Sequence, residues 1–81
     1  MKYYAYILKS TVNGRYYYGH TQNLEERLDR HNRGLVRSTK AFKRWELHYY
    51  EGFETRSEAS KREYFFKSIE GYQYLKSKSI I

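Results

Sequence analysis

The chain has 81 residues, no cysteine and a formal net charge of +7 at pH 7. This length predicts one small domain spanning residues 1–81, and the lack of cysteine excludes disulfides and thiolate metal sites. No apolar run reaches the length of a signal-peptide core or a membrane span, so we expect a cytoplasmic protein without a membrane partner. Sixteen basic residues against nine acidic ones favour an anionic partner, and nucleic acid is the commonest of these.

The N-terminal residues predict a β-hairpin. Tyr3 to Leu8 carry aromatic or aliphatic side chains on both alternating faces, a pattern typical of a central strand. Asn13-Gly14 is the signal for a tight hairpin, so residues 15–18 are predicted to return antiparallel and to bring Tyr17 or its neighbours near Tyr6. Because the chain has 11 tyrosines, these two are first interpreted as packing residues on composition alone.

A helix is predicted directly after this hairpin. Asn23 is an N-cap with Glu26 as its capping-box partner, and Gly34 supplies a left-handed stop. On this helix Arg27 and His31 share or border the stripe that faces inward, where ionisable residues are uncommon. The pair is either an internal salt bridge or hydrogen bond, or part of a functional site.

The segment 33–44 contains basic and hydroxyl residues with weak periodicity, which predicts a loop with a short turn near Lys40. It is either a solvated connector or a surface that tracks phosphates beside the site. The basic residues of this segment, which has no acidic one, are Arg33, Arg37, Lys40, Lys43 and Arg44.

The C-terminal half predicts a strand and a second helix. Residues 45–53 alternate as a half-buried third strand with Trp45 and Tyr49 on the same face, and His48 is expected to be packed or hydrogen-bonded. The capping box 55–58 opens a helix predicted to continue through Ile69, and Gly71 is predicted to interrupt it before a short further turn.

Glu63 lies at the edge of the buried stripe of this second helix. On spacing alone it is a surface carboxylate that pairs with Lys67 one turn later. The other interpretation is that it holds a metal ion.

Several of these residues together resemble a known family. Tyr4-Ala5-Tyr6 is followed after ten residues by Tyr17-Tyr18-Gly19, and then by Arg27, His31 and Glu63. This spacing resembles the GIY-YIG nucleases, in particular their small single-domain bacterial branch, which is similar to the N-terminal incision domain of the nucleotide-excision-repair nuclease. The signature is not literal, because Tyr4, Ala5 and Tyr18 replace its first glycine and both isoleucines.

The resemblance implies a metal-dependent endonuclease that hydrolyses DNA phosphodiester bonds at a single-cation site, in DNA repair or recombination. It implies that Glu63 holds Mg²⁺ or Mn²⁺, that Arg27 grips a phosphate oxygen, and that Gly19 is the motif glycine. Tyr6 ranks above His31 as the base or water-positioning group, and Tyr17 orients water or phosphate.

The predicted fold is α/β (α+β), a small, mostly antiparallel three-stranded sheet flanked by helices in the order β-β-α-β-α with a short helical tail. DNA is the more favoured nucleic acid, with RNA second. Two alternatives stay open at this point. One is a binding module that grips nucleic acid but cuts poorly alone, and the other is a component of a repair assembly that works through a repair-protein partner.

Overall fold

The computed structural model describes residues 2–81 and confirms a three-stranded antiparallel sheet flanked by helices. The helices of this range run from 9 to 11 residues, well short of the roughly 20 that a bilayer span requires. A short 3-10 turn at Lys40–Phe42 confirms the turn predicted near Lys40. The elements in chain order are β1 (Tyr3–Ser10), β2 (Tyr16–Thr21), α1 (Leu24–Asn32), β3 (Trp45–Phe53), α2 (Arg56–Phe66) and α3 (Ile69–Ser77).

Strand β1 is the centre of the sheet, whose order is β2-β1-β3, as its two-sided apolar pattern predicts. Its side chains alternate between two buried clusters. Ala5 and Ile7 pack with Phe66 of α2 and Leu75 of α3 on one face. On the other face, Tyr6 and Leu8 pack with Trp45 and with the partly buried leucines of α1. The domain therefore has helices on both sides of a thin sheet.

A β-bulge changes which way β3 faces. The pairing of β3 with β1 shifts by one residue at His48, so this residue is left out of the ladder. Trp45 consequently packs on the α1 side, whereas Tyr49 packs against Phe66 on the α2 side. The prediction that Trp45 and Tyr49 share a face is wrong for this reason. His48 is hydrogen-bonded, as predicted, to the carbonyl of Ile80.

The second helix ends earlier than the sequence predicts. It stops at Phe66 instead of continuing through Ile69, and the Ser68 side chain accepts a hydrogen bond from the backbone N–H of Gly71 to begin α3. Gly71 lies inside α3 and does not interrupt a helix. A Cβ at this position would lie 1.7 Å from the carbonyl oxygen of Phe65, so only glycine permits α3 to approach α2 this closely.

We expect Gly71→Ala to lower the free energy of unfolding by about 1–3 kcal/mol or more, because the added methyl group forces α3 away from α2. Gly52→Ala is the matched control, since a Cβ there meets the Tyr4 ring at 3.5 Å, an ordinary contact, and its effect should stay within about 0.5 kcal/mol. Urea unfolding of both variants measures the difference. Equal stability in the two variants would contradict the packing argument.

Candidate active site

The site begins with a close approach between two strands. Tyr6 pairs with Gly19 across β1 and β2, and a Cβ on Gly19 would lie 2.5 Å from the Tyr6 hydroxyl oxygen. The tyrosine side chain therefore lies over the glycine, in space that any other residue would occupy. Because β2 is an edge strand, this geometry carries the Tyr6 hydroxyl toward the outer edge of the sheet.

A chain of hydrogen bonds runs inward from α1. Arg27 Nε donates to the Tyr6 hydroxyl at 3.3 Å, and this hydroxyl is 3.1 Å from His31 Nε2. His31 Nδ1 lies 2.8 Å from Thr39 Oγ1, which in turn donates to the carbonyl of Val36. Since Thr39 uses its proton on Val36, His31 must donate from Nδ1 and accept from Tyr6 at Nε2. The network thus fixes both the tautomer of the imidazole and the direction of the Tyr6 O–H bond.

Burial sets the charge states of this network. Tyr6 is 1% exposed, and burial raises its pKa to about 12 although Arg27 opposes the rise. His31 is fully buried, and burial together with the positive charges of Arg27 and Arg30 lowers its pKa to about 4. The hydrogen bond with Tyr6 raises the pKa of Arg27 above its usual value. Near neutral pH the network therefore holds a neutral phenol, a neutral imidazole and one guanidinium.

Tyr17 lies beside this network, as the hairpin predicts. Its ring is 4.8 Å from the His31 ring and 6.4 Å from the Tyr6 ring, measured between centroids. Tyr17 also contributes, less than Tyr6, to the raised pKa of Arg27. Tyr17 is only partly buried, so of the two tyrosines it is the one accessible from outside.

Glu63 reaches the same edge from the opposite face of the sheet. Its Oε1 lies 2.6 Å from His20 Nδ1, its Oε2 accepts from Lys67 Nζ at 2.6 Å, and its side chain is 14% exposed. The pairing with Lys67 is the one that helical spacing predicts. The bond to His20 was not predicted, although the pairing of His20 with Ala5 places it on the α2 side of β2.

The two halves of the site are close enough to interact electrostatically. The charge of Glu63 contributes to the raised pKa of Tyr6, and Tyr17 contributes to the raised pKa of Lys67, although other causes are larger in both cases. The structure therefore brings Tyr6, Tyr17, Arg27, His31, Gly19 and Glu63 together at the β2 edge. Thr39 was missed because nothing in a polar loop sequence marks a hydroxyl that is 1% exposed.

The basic residues of segment 33–44 lie on the surface and not within the hydrogen-bond network of Tyr6 and His31. Arg33, Arg37, Lys40, Lys43 and Arg44 are all exposed and follow the C-terminal end of α1. Arg33 pairs with Asp29 of that helix at 3.4 Å. Two other residues of this segment turn inward: Thr39 toward His31 and, in part, Phe42 toward the Leu8 cluster.

A surface depression of about 750 Å³ opens at the other end of α1. It contains Arg27 and His20, and so it is continuous with both halves of the site. The residues that line it are Lys2, His20, Thr21, Gln22, Asn23, Glu26, Arg27 and Arg56.

Glu63 is the acidic side chain that the structure places against His20, and its charge contributes to the raised pKa of Tyr6. Within residues 2–81, no cluster of three or more His, Asp or Glu side chains is suited to hold a metal ion. This donor set does not fit a zinc centre, which takes three or four protein ligands. It fits Mg²⁺, because this ion keeps several waters and binds through one or two carboxylates with substrate phosphate.

Comparison with known proteins agrees with this geometry. A family model described as the GIY-YIG catalytic domain matches residues 2–74. A UPF0213 protein of Bacillus licheniformis is 43% identical over 67 residues, covering 82% of this chain and 68% of that protein. A UPF0213 protein of Staphylococcus saprophyticus is 40% identical over 76 residues, covering 93% and 92% respectively.

A solved structure supports the same assignment. The solution NMR structure of a UPF0213 protein from Bacillus halodurans has a TM-score of 0.55 and 29% identity, covering 95% of this chain and 84% of that one. The family model and the solved structure thus both cover most of the chain. The chain belongs to the GIY-YIG nuclease family and is related to its small bacterial UPF0213 proteins.

Proposed function

We propose that this chain is a metal-dependent endonuclease that hydrolyses DNA phosphodiester bonds. The observation that carries the proposal is the meeting of two groups at one sheet edge: a guanidinium held by Tyr6, and a carboxylate from the opposite face. A phosphodiesterase needs a phosphate clamp and a ligand for a cation, and this edge supplies both. The net charge of +7 suits a polyanionic substrate.

Arg27 is the phosphate-binding residue in this proposal. Its Nε is committed to Tyr6, which leaves terminal N–H groups for a non-bridging phosphate oxygen. The hydrogen bond from Tyr6 to His31 holds the phenol, and the phenol in turn holds the guanidinium. Tyr6 and His31 therefore keep the clamp in one orientation before substrate arrives, which is how charge stabilisation becomes effective.

The attacking water is assigned to the side of the Arg27 guanidinium on which Tyr6 and Tyr17 lie. Tyr17 is the more exposed of the two tyrosines and lies beside the network, so we assign it the direct contact with water or a phosphate oxygen. Tyr6 is buried and donates to neutral His31 Nε2, so its oxygen can accept a proton from water only as its own O–H proton passes to the imidazole. In this assignment Tyr6 accepts the proton of the attacking water, and Tyr17 lies next to that water.

Glu63 is the metal ligand in the proposal. Lys67 is 47% exposed and can rotate away from Oε2, while His20 continues to hold Oε1 and so orients the carboxylate. When bound there, Mg²⁺ or Mn²⁺ offsets the negative charge of the phosphate and of the leaving oxygen. The preference for DNA and a role in repair or recombination, with a repair-protein partner to supply specificity, are further parts of this proposal.

One observation favours a second candidate, a module that binds nucleic acid without cutting. Both oxygens of Glu63 are already hydrogen-bonded, as in a structural ion pair. Such a module would bind DNA equally well with and without this carboxylate. The two candidate functions therefore predict different results for a single set of variants.

We expect Glu63→Gln and Arg27→Lys each to reduce metal-dependent cleavage of end-labelled DNA by about 100-fold or more, because one removes the ligand charge and the other the forked clamp. Glu70→Gln, an exposed carboxylate in the first turn of α3, is the matched control and should cut normally. Duplex, single-stranded and branched DNA are tested with Mg²⁺, Mn²⁺ or chelator. Binding without cutting by the unaltered protein on every substrate would instead support the second candidate.

We expect Gly19→Ala to lower kcat by about 100-fold, because the new methyl group would occupy the position of the Tyr6 hydroxyl and displace it from Arg27 and His31. Gly52→Ala places the same methyl group in β3 without a clash and serves as the control. Cleavage is measured under conditions where unfolding curves show both variants to be folded. A folded Gly19→Ala protein with normal kcat would refute the role of Tyr6.

The buried His31 also predicts a pH dependence of stability. Its pKa is about 4 in the folded chain against 6.5 in the unfolded one, so the unfolded state binds more protons as the pH falls through this range. The free energy of unfolding should decrease by about 2 kcal/mol between about pH 7 and pH 5. Urea unfolding of the unaltered protein and of His31→Gln measures it. The variant should lose this component, and equal pH dependence in both proteins would show that His31 is not the cause.

A further inference from the structure

The topology gathers three chain segments at one end of the sheet. Tyr4 pairs with Thr21 and Tyr3 pairs with Phe53, so the start of β1 lies beside the ends of β2 and β3. Helix α1 begins soon after β2 and helix α2 begins soon after β3. Both helix N-termini, with their partial positive charge, therefore lie at the same end as the depression that contains Arg27.

Two cations with no part in the proposed chemistry line this depression. Lys2 precedes β1, and Arg56 begins α2. Lys2 lies 3.9 Å from Glu54, but both side chains are largely exposed, so this ion pair competes weakly for the ammonium group. The Arg56 guanidinium lies over the Tyr3 ring at 5.4 Å, a contact that leaves its N–H groups free to donate.

The charge balance of the depression favours an anion. Its lining contains the cations Lys2, Arg27 and Arg56 and a single carboxylate, that of Glu26. Arg27 belongs at once to the hydrogen-bond network with Tyr6 and to this lining. An anionic chain bound at Arg27 would thus find two further cations in the same depression.

We propose that Lys2 and Arg56 bind the backbone phosphates that flank the scissile phosphate of duplex DNA. The inference rests on the proposed function, because it takes Arg27 as the position of the scissile phosphate. It places the backbone across the end of the sheet where α1 and α2 begin. It also gives segment 33–44 a lesser part, because that segment follows the opposite end of α1, a helix of nine residues and so about 13 Å long.

The salt dependence of binding tests this proposal without any cutting. Each phosphate contact contributes about 0.9 to the slope of log K against log salt concentration for duplex DNA. We expect the double variant Lys2→Gln/Arg56→Gln to lose about 2 from that slope and to bind a short duplex roughly 10-fold more weakly near 100 mM salt. Affinity is measured by fluorescence anisotropy in chelator, between about 50 and 200 mM salt.

The matched control is Lys9→Gln/Lys61→Gln, which changes the net charge by the same amount at exposed positions outside the depression. It should leave the slope near that of the unaltered protein. A second pair, Arg37→Gln/Lys40→Gln, samples segment 33–44. Thermal unfolding verifies that all the variants are folded.

A slope lowered mainly by the Lys2/Arg56 pair supports the proposal. An unchanged slope for that pair, or an equal loss in the control pair, overturns it. Because the assay contains chelator, a protein that never cuts can still show the Lys2/Arg56 effect. Failure of the nuclease proposal and failure of this one are therefore told apart.

Discussion

The contact of Tyr6 with Gly19 is the constraint on which the site depends. Without a side chain at position 19, the phenol of a buried central strand can cross its neighbour and meet α1 near the sheet edge. One hydroxyl then satisfies both a guanidinium and an imidazole inside the protein. Burying a polar group is unfavourable unless it is hydrogen-bonded, so this contact also determines where α1 packs and which way Arg27 points.

The local elements were predictable wherever one residue decides the geometry. Asn23 and Thr55 each accept the backbone N–H expected of a helix cap, and Asn13-Gly14 marks the hairpin. Gly71 was misjudged because its role is a contact between two helices, and a sequence shows only that glycine disfavours a helix interior. The bulge at His48 was likewise invisible, since nothing in an alternating pattern announces one unpaired residue.

The residues of the candidate site likewise divide into those that the sequence predicts and those that it does not. Periodicity identified Arg27 and His31 as ionisable groups that face inward, and the structure places both in one network. Thr39 could not be found, because it reaches His31 through the path of an irregular loop. His20 was within reach of the sequence, since a hairpin that pairs Tyr6 with Gly19 must place His20 opposite Ala5, on the face of the second helix.

The central position of β1 has a consequence for local stability. Among the elements of residues 2–81, this strand alone contributes buried residues to both hydrophobic clusters, so neither cluster can open completely without exposing it. Helix α1 buries only His31 fully and packs through partly buried leucines, so it belongs to a less protected unit of the fold. Amide hydrogens of β1 should then exchange only through global unfolding, while those of α1 exchange through smaller openings. In such an opening the phenol of Tyr6 stays in place on the sheet while the guanidinium of Arg27 departs with its helix.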